Sequence, residues 1–254
     1  MEISEKTWTG FINALRKVND EAAGKIRAYL EKYGLPITQA AINALIEFAY
    51  AISTKYGEAA AELAAEMYDA MAEASKVIVP FAVPAPAPDI HEVAKSVVGT
   101  LKTGNEEIIS SAVGRLVKQT GVDTTMQNAL RDGAEWAWIP HGDTCAFCIA
   151  LASRGWERAS KKAIKGGHAE HIHANCDCTY AIRFNSDTEV AGYDPRKYRE
   201  MYDSAEGTDP KEKINAMRRE FYAENADEIN AQKRDAYEKR KERESSAAEE
   251  MDVS

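Results

Sequence analysis

Long apolar runs and secretion signals are the first features that this sequence lacks. No stretch of about 18 consecutive apolar residues occurs in the chain, so the sequence predicts no membrane-spanning helix. Charged side chains interrupt the N-terminal segment Met1–Lys17, which therefore does not resemble a signal peptide. Cysteines number only four, and without a secretory signal we expect them in a reducing compartment, where metal binding is favoured over disulfide formation.

Net positive charge is also absent. The 254 residues include 32 basic and 41 acidic side chains, and the formal net charge is −9. Only the segment 136–185 holds more basic than acidic side chains, six against four. Sequence-independent binding of duplex DNA depends on neutralising many phosphates, so we expect only weak, local contacts between this acidic chain and nucleic acid. The apolar content of 44% is sufficient for one large domain or two modest ones, each with a real core.

Proline is rare outside one short segment. Half of the eight prolines fall within residues 80–88, where proline alternates with small residues from Phe81 to Pro88. Such a composition favours an extended, semi-rigid connection that interrupts a helix. We interpret the segment as a plain spacer, and the alternative is a motif that another protein recognises.

The first 135 residues have helical periodicity, with apolar positions three or four residues apart. Asn105 is suited to cap a helix that begins with two glutamates, since these favour the positive end of the helix dipole. Besides the long helix described next, the pattern predicts helices over residues 3–18, 20–33, 89–102, 106–119 and 123–136.

The longest periodic pattern begins at Ile37 and predicts a helix of about 60 Å with a single apolar stripe. We expect the alanine-rich stripe to face the core, and the alternative is a surface reserved for an oligomeric partner. Its positions are Ile37, Ala41, Leu45, Phe48, Ile52, Tyr56, Ala59, Leu63, Met67 and Met71.

All four cysteines and four of the five histidines lie within residues 138–184. Cys145 and Cys148 form a C-x2-C pair, and 27 residues separate Cys148 from Cys176, which forms an H-x2-C-x-C group with His173 and Cys178. Thiolates and imidazoles at such spacings are the ligands of a structural zinc ion with tetrahedral geometry. We predict a structural Zn²⁺ ion, held either by the four cysteines or by three cysteines and His173.

The residues around the cluster predict a small folded module. Gly155 would allow the chain to turn after a helix that carries Cys148. Alternation of larger and smaller side chains over residues 180–184 predicts a short strand after Cys178. The core of the module, packed around the ion, would consist of Trp138, Phe147, Trp156 and Phe184.

Other interpretations of the cluster remain open. The cysteines could form disulfides in an oxidising virion or extracellular setting. A catalytic zinc ion would need an open ligand position and a neighbouring base, which His171 or His173 could provide in a small nuclease or hydrolase. A zinc module that binds nucleic acid is a third hypothesis. A full set of cysteines favours a closed site, so we predict no catalytic residues and no enzymatic activity.

The central motifs resemble those of a known viral family, the minor head proteins of tailed bacteriophages related to the F protein of phage Mu. The likeness is greatest to a subgroup common in Gram-positive phages and prophages, and a helical N-terminal half is also typical of that family. Asp177 stands where the family usually has a basic residue. The matching pattern is Trp138-x-Pro140-x-Gly142-Asp143-x-Cys145-x-x-Cys148, then Ser153-Arg154-Gly155, then His173-x-x-Cys176-x-Cys178.

The resemblance implies a structural minor capsid protein that is made in the host cytoplasm and resides inside the virion. It implies association with the portal protein, with the major capsid or scaffold protein as further candidate partners, during head assembly, DNA packaging or early genome delivery. It also implies metal ligands at Cys145, Cys148, His173, Cys176 and Cys178. A weak contact with packaged DNA is the only contact with nucleic acid that we expect.

We therefore predict a mainly α protein with a small zinc-stapled α+β module and three regions. Residues 1–135 would form a helical region that docks on the portal or capsid, and residues 136–185 the zinc module. Residues 186–254 would be a mobile, charged tail, partly helical or disordered. The helical part of the tail has only a few apolar residues along one face, so it needs a partner if it is to be ordered. These apolar residues are Ile214, Met217, Phe221 and Ile229.

Overall fold

The computed structural model describes residues 2–141, 144–160 and 178–228, together with residues 230, 231, 234, 237, 238 and 241. These parts are mainly helical with small sheets, as the sequence predicts, and none of their helices is long and apolar enough to cross a membrane. The helices are α1 (Glu5–Tyr33), α2 (Gln39–Ala74), α3 (Ile90–Leu101), α4 (Glu106–Asp132), α5 (Ala146–Ala152), α6 (Pro195–Ser204) and α7 (Pro210–Glu224). The strands are β1 (Glu2–Ile3), β2 (Glu135–Ile139), β3 (Glu157–Arg158), β4 (Thr179–Arg183) and β5 (Glu189–Val190).

Helix α1 is continuous, so the prediction of two helices over residues 3–18 and 20–33 is wrong. Its buried face continues on both sides of the polar residues near position 20, with Ile12 and Ile26 both in the core. Packing of that face outweighs the weak helix propensity of the polar residues. The helix ends at Gly34, whose φ of 72° is readily adopted by glycine.

Helix α4 is also continuous and replaces the two helices predicted over residues 106–119 and 123–136. Asn105 caps it as predicted, because its side chain accepts hydrogen bonds from two backbone N–H groups of the first turn. Gly121 lies within the helix, where an added Cβ would come 3.2 Å from the carbonyl oxygen of Ala60 in α2. This glycine therefore permits close packing of α2 and α4 and does not interrupt the helix.

The predicted stripe of α2 faces the core only in part. Leu45, Tyr56 and Met71 are buried as expected, but Ile37 is 94% exposed and Ala59 is also exposed. The buried face is instead broadened by alanines, whose small side chains let the neighbouring helix approach. These alanines are Ala49, Ala60, Ala61, Ala64, Ala65 and Ala72.

Two hydrophobic clusters organise opposite ends of the helical bundle. At one end α3 completes a cluster with α1, α2 and α4, formed by Ile26, Leu30, Leu45, Ala49, Val93, Val97, Ile109 and Val113. At the other end the sheet packs directly on helices. The second cluster includes Trp8, Phe11, Tyr68, Met71, Met126 and Ala129 from the helices, and Trp136, Trp138, Tyr180 and Ile182 from the strands.

Strand β2 is the central strand of an antiparallel sheet, with β3 on one side and β4 on the other. Gly133, with a φ of 67°, ends α4 and leads into β2, so Trp136 lies in a strand and not in the predicted helix. Strand β4 confirms the strand predicted after Cys178. Strands β1 and β5 form a separate parallel pair.

Residues 77–89, which connect α2 to α3, form an extended segment that we call the strap. Side chains of α2 and α4 hydrogen-bond to its backbone, so the predicted connection is held against these two helices. The strap donates from Ala82 N–H to Asp69 at 2.8 Å, from Val83 N–H to Asn128 at 2.9 Å and from Ala85 N–H to Thr124 at 2.9 Å.

The buried amide of Asn128 is central to the attachment of the strap. Its Oδ1 accepts from the N–H of Val83, and its Nδ2 donates to the carbonyl oxygens of Val83 and Thr124 at 2.9 and 2.7 Å. Asn128→Ala removes these three hydrogen bonds and leaves the N–H of Val83 without its acceptor, so we expect the free energy of unfolding in urea to fall by about 2–3 kcal/mol. The exposed Gln127 donates one hydrogen bond to the same strap carbonyl, and Gln127→Ala should cost less than about 1 kcal/mol. Equal losses in the two variants would contradict this assignment.

Candidate metal centre

Three of the five predicted metal ligands lie at one end of the β2–β4 strand pair. Cys178 directly precedes β4, whose first residue pairs with the last residue of β2. The loop that follows β2 leads to Cys145, the N-cap residue of α5, and Cys148 lies in the first turn of that helix. The fold therefore brings the C-x2-C pair and Cys178 to the same end of the sheet although they are distant in sequence.

The sulfur of Cys178 has a backbone hydrogen-bond donor. The N–H of His141 lies 3.4 Å from Cys178 Sγ, in a position to donate to it. Hydrogen bonds to sulfur stabilise the negative charge of a metal-bound thiolate. Cys178 and Cys148 are both buried, whereas Cys145 is partly exposed. Burial of a charged thiolate is costly unless a cation or hydrogen bonds compensate it, and a bound metal ion would provide that compensation.

A buried indole nitrogen lies in the cluster that contains Cys178. Trp138 is paired with Tyr180 across the sheet, and both side chains are buried in the same hydrophobic cluster as Cys178. The rings of Trp138 and Tyr180 meet edge to face at 4.8 Å. Within the described residues, Nε1 of Trp138 has no hydrogen-bond acceptor. A ligand-bearing loop or a metal-bound thiolate would be a suitable acceptor.

Two tyrosines are near enough to the cysteines for their charges to interact. Burial raises the pKa of the Tyr180 hydroxyl above its usual range, Arg154 opposes the shift, and negative charge on Glu157 and then on Cys148 adds to it. Burial likewise raises the pKa of Tyr198, with an added contribution from Cys178. Both phenols therefore stay protonated at neutral pH and present uncharged groups to the sulfurs.

The predicted ligands His173 and Cys176 lie outside the described residues, as do His168, His171 and Asp177. Among the residues that are described, no group of three or more histidine, cysteine, aspartate or glutamate side chains is arranged to hold a metal ion. Cys145, Cys148 and Cys178 are all described, so these three side chains are not gathered into a metal-binding group. The choice between four cysteines and three cysteines with His173 stays a prediction, although a donor set of thiolates and imidazole has the chemistry that suits zinc.

The four aromatic residues expected to form the core of the module do pack together, but their core is not separate from the helices. Trp138 is buried in the cluster that also contains Tyr68 and Met71 of α2. Phe147, Trp156 and Phe184 are partly buried against the same cluster. The cysteine-bearing segments thus belong to the main body of the protein.

Gly155 has the predicted turning role. Its φ is 72°, it lies three residues after the last residue of α5, and the chain enters β3 two residues later. A Cβ added at this position would lie 3.4 Å from Pro195, the first residue of α6. The turn and the tail are therefore in contact.

Helices α6 and α7 pack on α5, which sequence reasoning missed. The tail was expected to be mobile or in need of a partner, and α5 is the partner for residues 195–224. The sequence signal for this contact was the presence of two apolar residues, Ala146 and Ile149, on either side of Cys148. Met217 of α7 packs on these two residues. The contact contains Ala146, Ile149 and Met217, bordered by Tyr198, Tyr202, Ala205 and Ile214. Phe221 is 52% exposed, and Ile229 lies outside the described residues.

Most of the chain matches one known protein family. The family described as VG15 protein matches residues 2–205, a span that includes α1 to α6 and every described strand. The chain belongs to the VG15 protein family. This family assigns the chain to the phage proteins, so the expected bacteriophage association is confirmed at that level. No match was found among the curated proteins or among the solved structures.

Proposed function

We propose that this member of the VG15 family is a structural minor capsid protein of a tailed bacteriophage or prophage. It associates with the portal protein and acts in head assembly, DNA packaging or early genome delivery from inside the virion. One observation carries the proposal. The family match over residues 2–205 encloses the motif, from Trp138 to Cys178, that resembles the minor head proteins related to the F protein of phage Mu.

The charge and organisation of the chain support a structural role. A net charge of −9 disfavours a principal role in binding duplex DNA. The long helices α1, α2 and α4 provide a rigid body, and the cysteine-bearing end of the sheet is packed directly on them. A protein of this construction is suited to hold a fixed shape between larger assembly partners.

A structural zinc ion is part of the proposal. Cys145, Cys148 and Cys178 would bind it together with His173, Cys176 or both. When bound, the ion supplies a tetrahedral link between the start of α5 and the start of β4. The N–H of His141 holds the Cys178 sulfur in position, and the surrounding aromatic residues exclude water. With all positions taken by protein ligands, such a site stabilises the fold and leaves no position open for catalysis.

The zinc ion is tested by metal analysis of the reduced, purified protein. We expect about one zinc per chain, since structural sites bind with free energies on the order of 10 kcal/mol at neutral pH. Cys178→Ser should release most of the metal and lower the melting temperature, whereas His91→Ala, an exposed histidine on α3, should change neither. His173→Ala and Cys176→Ser, compared with each other, identify the fourth ligand.

Protein that holds no stoichiometric metal under reducing conditions would contradict the zinc assignment. A hydrolytic activity that His173→Ala abolishes without loss of zinc would favour a metal-dependent nuclease or hydrolase instead.

The assembly role is tested by mixing the full-length chain with the purified portal ring encoded in the same genome. We expect the chain to co-sediment with the ring in a gradient and to be present in purified virions by mass spectrometry. A portal ring from an unrelated phage is the matched control and should not carry the chain with it. Absence from virions together with no sedimentation on the cognate ring would contradict the proposal.

A further inference from the structure

The strap has the repeat of a polyproline II helix. Burial along it recurs every third residue: Ala85 and Pro88 are buried, Val79 and Ala82 are partly buried, and the residues between are mostly exposed. Three residues per turn is the period of polyproline II, which prolines favour. One edge of the strap is hydrogen-bonded to α2 and α4, and its other two edges face solvent.

The conformation of the strap is fixed before any partner binds. The N–H groups of Ala82, Val83 and Ala85 are already bonded to side chains of α2 and α4. Arg131 also donates to the carbonyl oxygens of Pro80 and Phe81, at 2.8 and 3.1 Å. With these N–H groups occupied and no N–H on the prolines, the strap is unsuited to accept an added β-strand. A partner must therefore recognise its side chains, and it would lose little entropy by ordering a segment that is already held.

The outward edges of the strap are apolar. Ile78 is fully exposed, and the exposed fractions of Phe81 and Val83 are 86% and 58%. Pro84 and Pro86 are exposed beside them. Single exposed apolar side chains are common on soluble proteins, but a continuous row on a rigid segment is typical of an interaction site. Grooves lined by aromatic residues bind polyproline II segments of this composition.

An acidic row on α2 borders the strap. Glu58, Glu62, Glu66 and Glu73 are exposed and share one face of the helix with Asp69, which accepts the hydrogen bond from the strap. None of the four glutamates forms an ion pair with a residue in the described parts of the chain. Like charges four residues apart repel one another, so the row weakens α2 unless a cationic surface lies against it.

We propose that the strap and this acidic row form one docking surface for a protein that has an aromatic-lined groove with lysine or arginine on its rim. The groove takes Phe81, Val83 and Pro84, and the basic rim faces Glu62 and Glu66. Nucleic acid is disfavoured at this surface because phosphates would meet carboxylates. A second copy of the chain is disfavoured because it would bring a further net charge of −9. The choice of the portal protein as the partner rests on the proposed function.

The apolar part of the surface is tested with Phe81→Ser combined with Val83→Ser in the full-length chain. Neither side chain contributes to the buried edge of the strap, so the melting temperature should stay close to that of the wild type. Affinity for the cognate portal ring should fall about tenfold or more, because exposed aromatic anchors dominate such interfaces. Ile37→Ser is the matched control, since Ile37 is 94% exposed in the connection between α1 and α2. It should bind as the wild type does.

The acidic row is tested separately with Glu62→Gln combined with Glu66→Gln. Binding to the portal ring at low salt should weaken about threefold, and its dependence on sodium chloride should become flatter. Glu21→Gln combined with Glu31→Gln, two exposed positions on α1, removes the same charge elsewhere and should have little effect.

The outcomes separate this inference from the proposed function. If the wild-type chain binds the ring and the strap variant binds equally well, the docking surface is wrong while the portal association stands. If the wild-type chain does not bind the ring, both the portal association and this partner are wrong. If the wild-type chain self-associates in sedimentation and the strap variant does not, a second copy occupies the surface and the proposal is overturned.

Discussion

The packing of the β2–β4 strand pair on the ends of α1, α2 and α4 is the interaction on which the rest of the structure depends. The sheet is too small to bury both of its faces alone, and the helices supply the missing contacts. Met71 of α2 shows how close this contact is, because its Sδ lies 3.4 Å from the backbone N–H of Ile182 in β4. The two strands fix where Cys178 and the loop to α5 lie, so the helical bundle determines the geometry of the candidate metal centre.

Small residues on α2 and α4 make the attachment of the strap possible. Ala60 and Gly121 allow the two helices to pack closely, and polar side chains of both helices then hold the strap beside this contact. The same feature therefore stabilises the bundle and presents the apolar, proline-rich edge of the strap to solvent. The cysteines lie at the sheet and the strap runs along α2 and α4, where Val79 and Ala82 of the strap pack against the cluster that contains Cys148 and Cys178.

Local patterns in the sequence predicted the helical class, the Asn105 cap, the strand after Cys178 and the turn at Gly155, because each depends on neighbouring residues. They failed where tertiary contacts decide. Glycine at position 121 permits helix packing and does not break α4, and no local rule distinguishes these roles. The strap and the contact of Met217 with α5 depend on residues distant in sequence. The metal ligands at positions 173 and 176 stay a prediction from spacing and from family resemblance.

Native-state hydrogen exchange of the full-length protein tests most directly whether the sheet and the helices form one core. The account predicts that the slowest backbone amides of β4 and of the C-terminal half of α4 exchange through the same opening, with equal free energies and equal dependence on denaturant. Exchange of the β4 amides through a separate opening of much lower free energy, while α4 stays protected, would show that the cysteine-bearing sheet folds apart from the bundle and would contradict it.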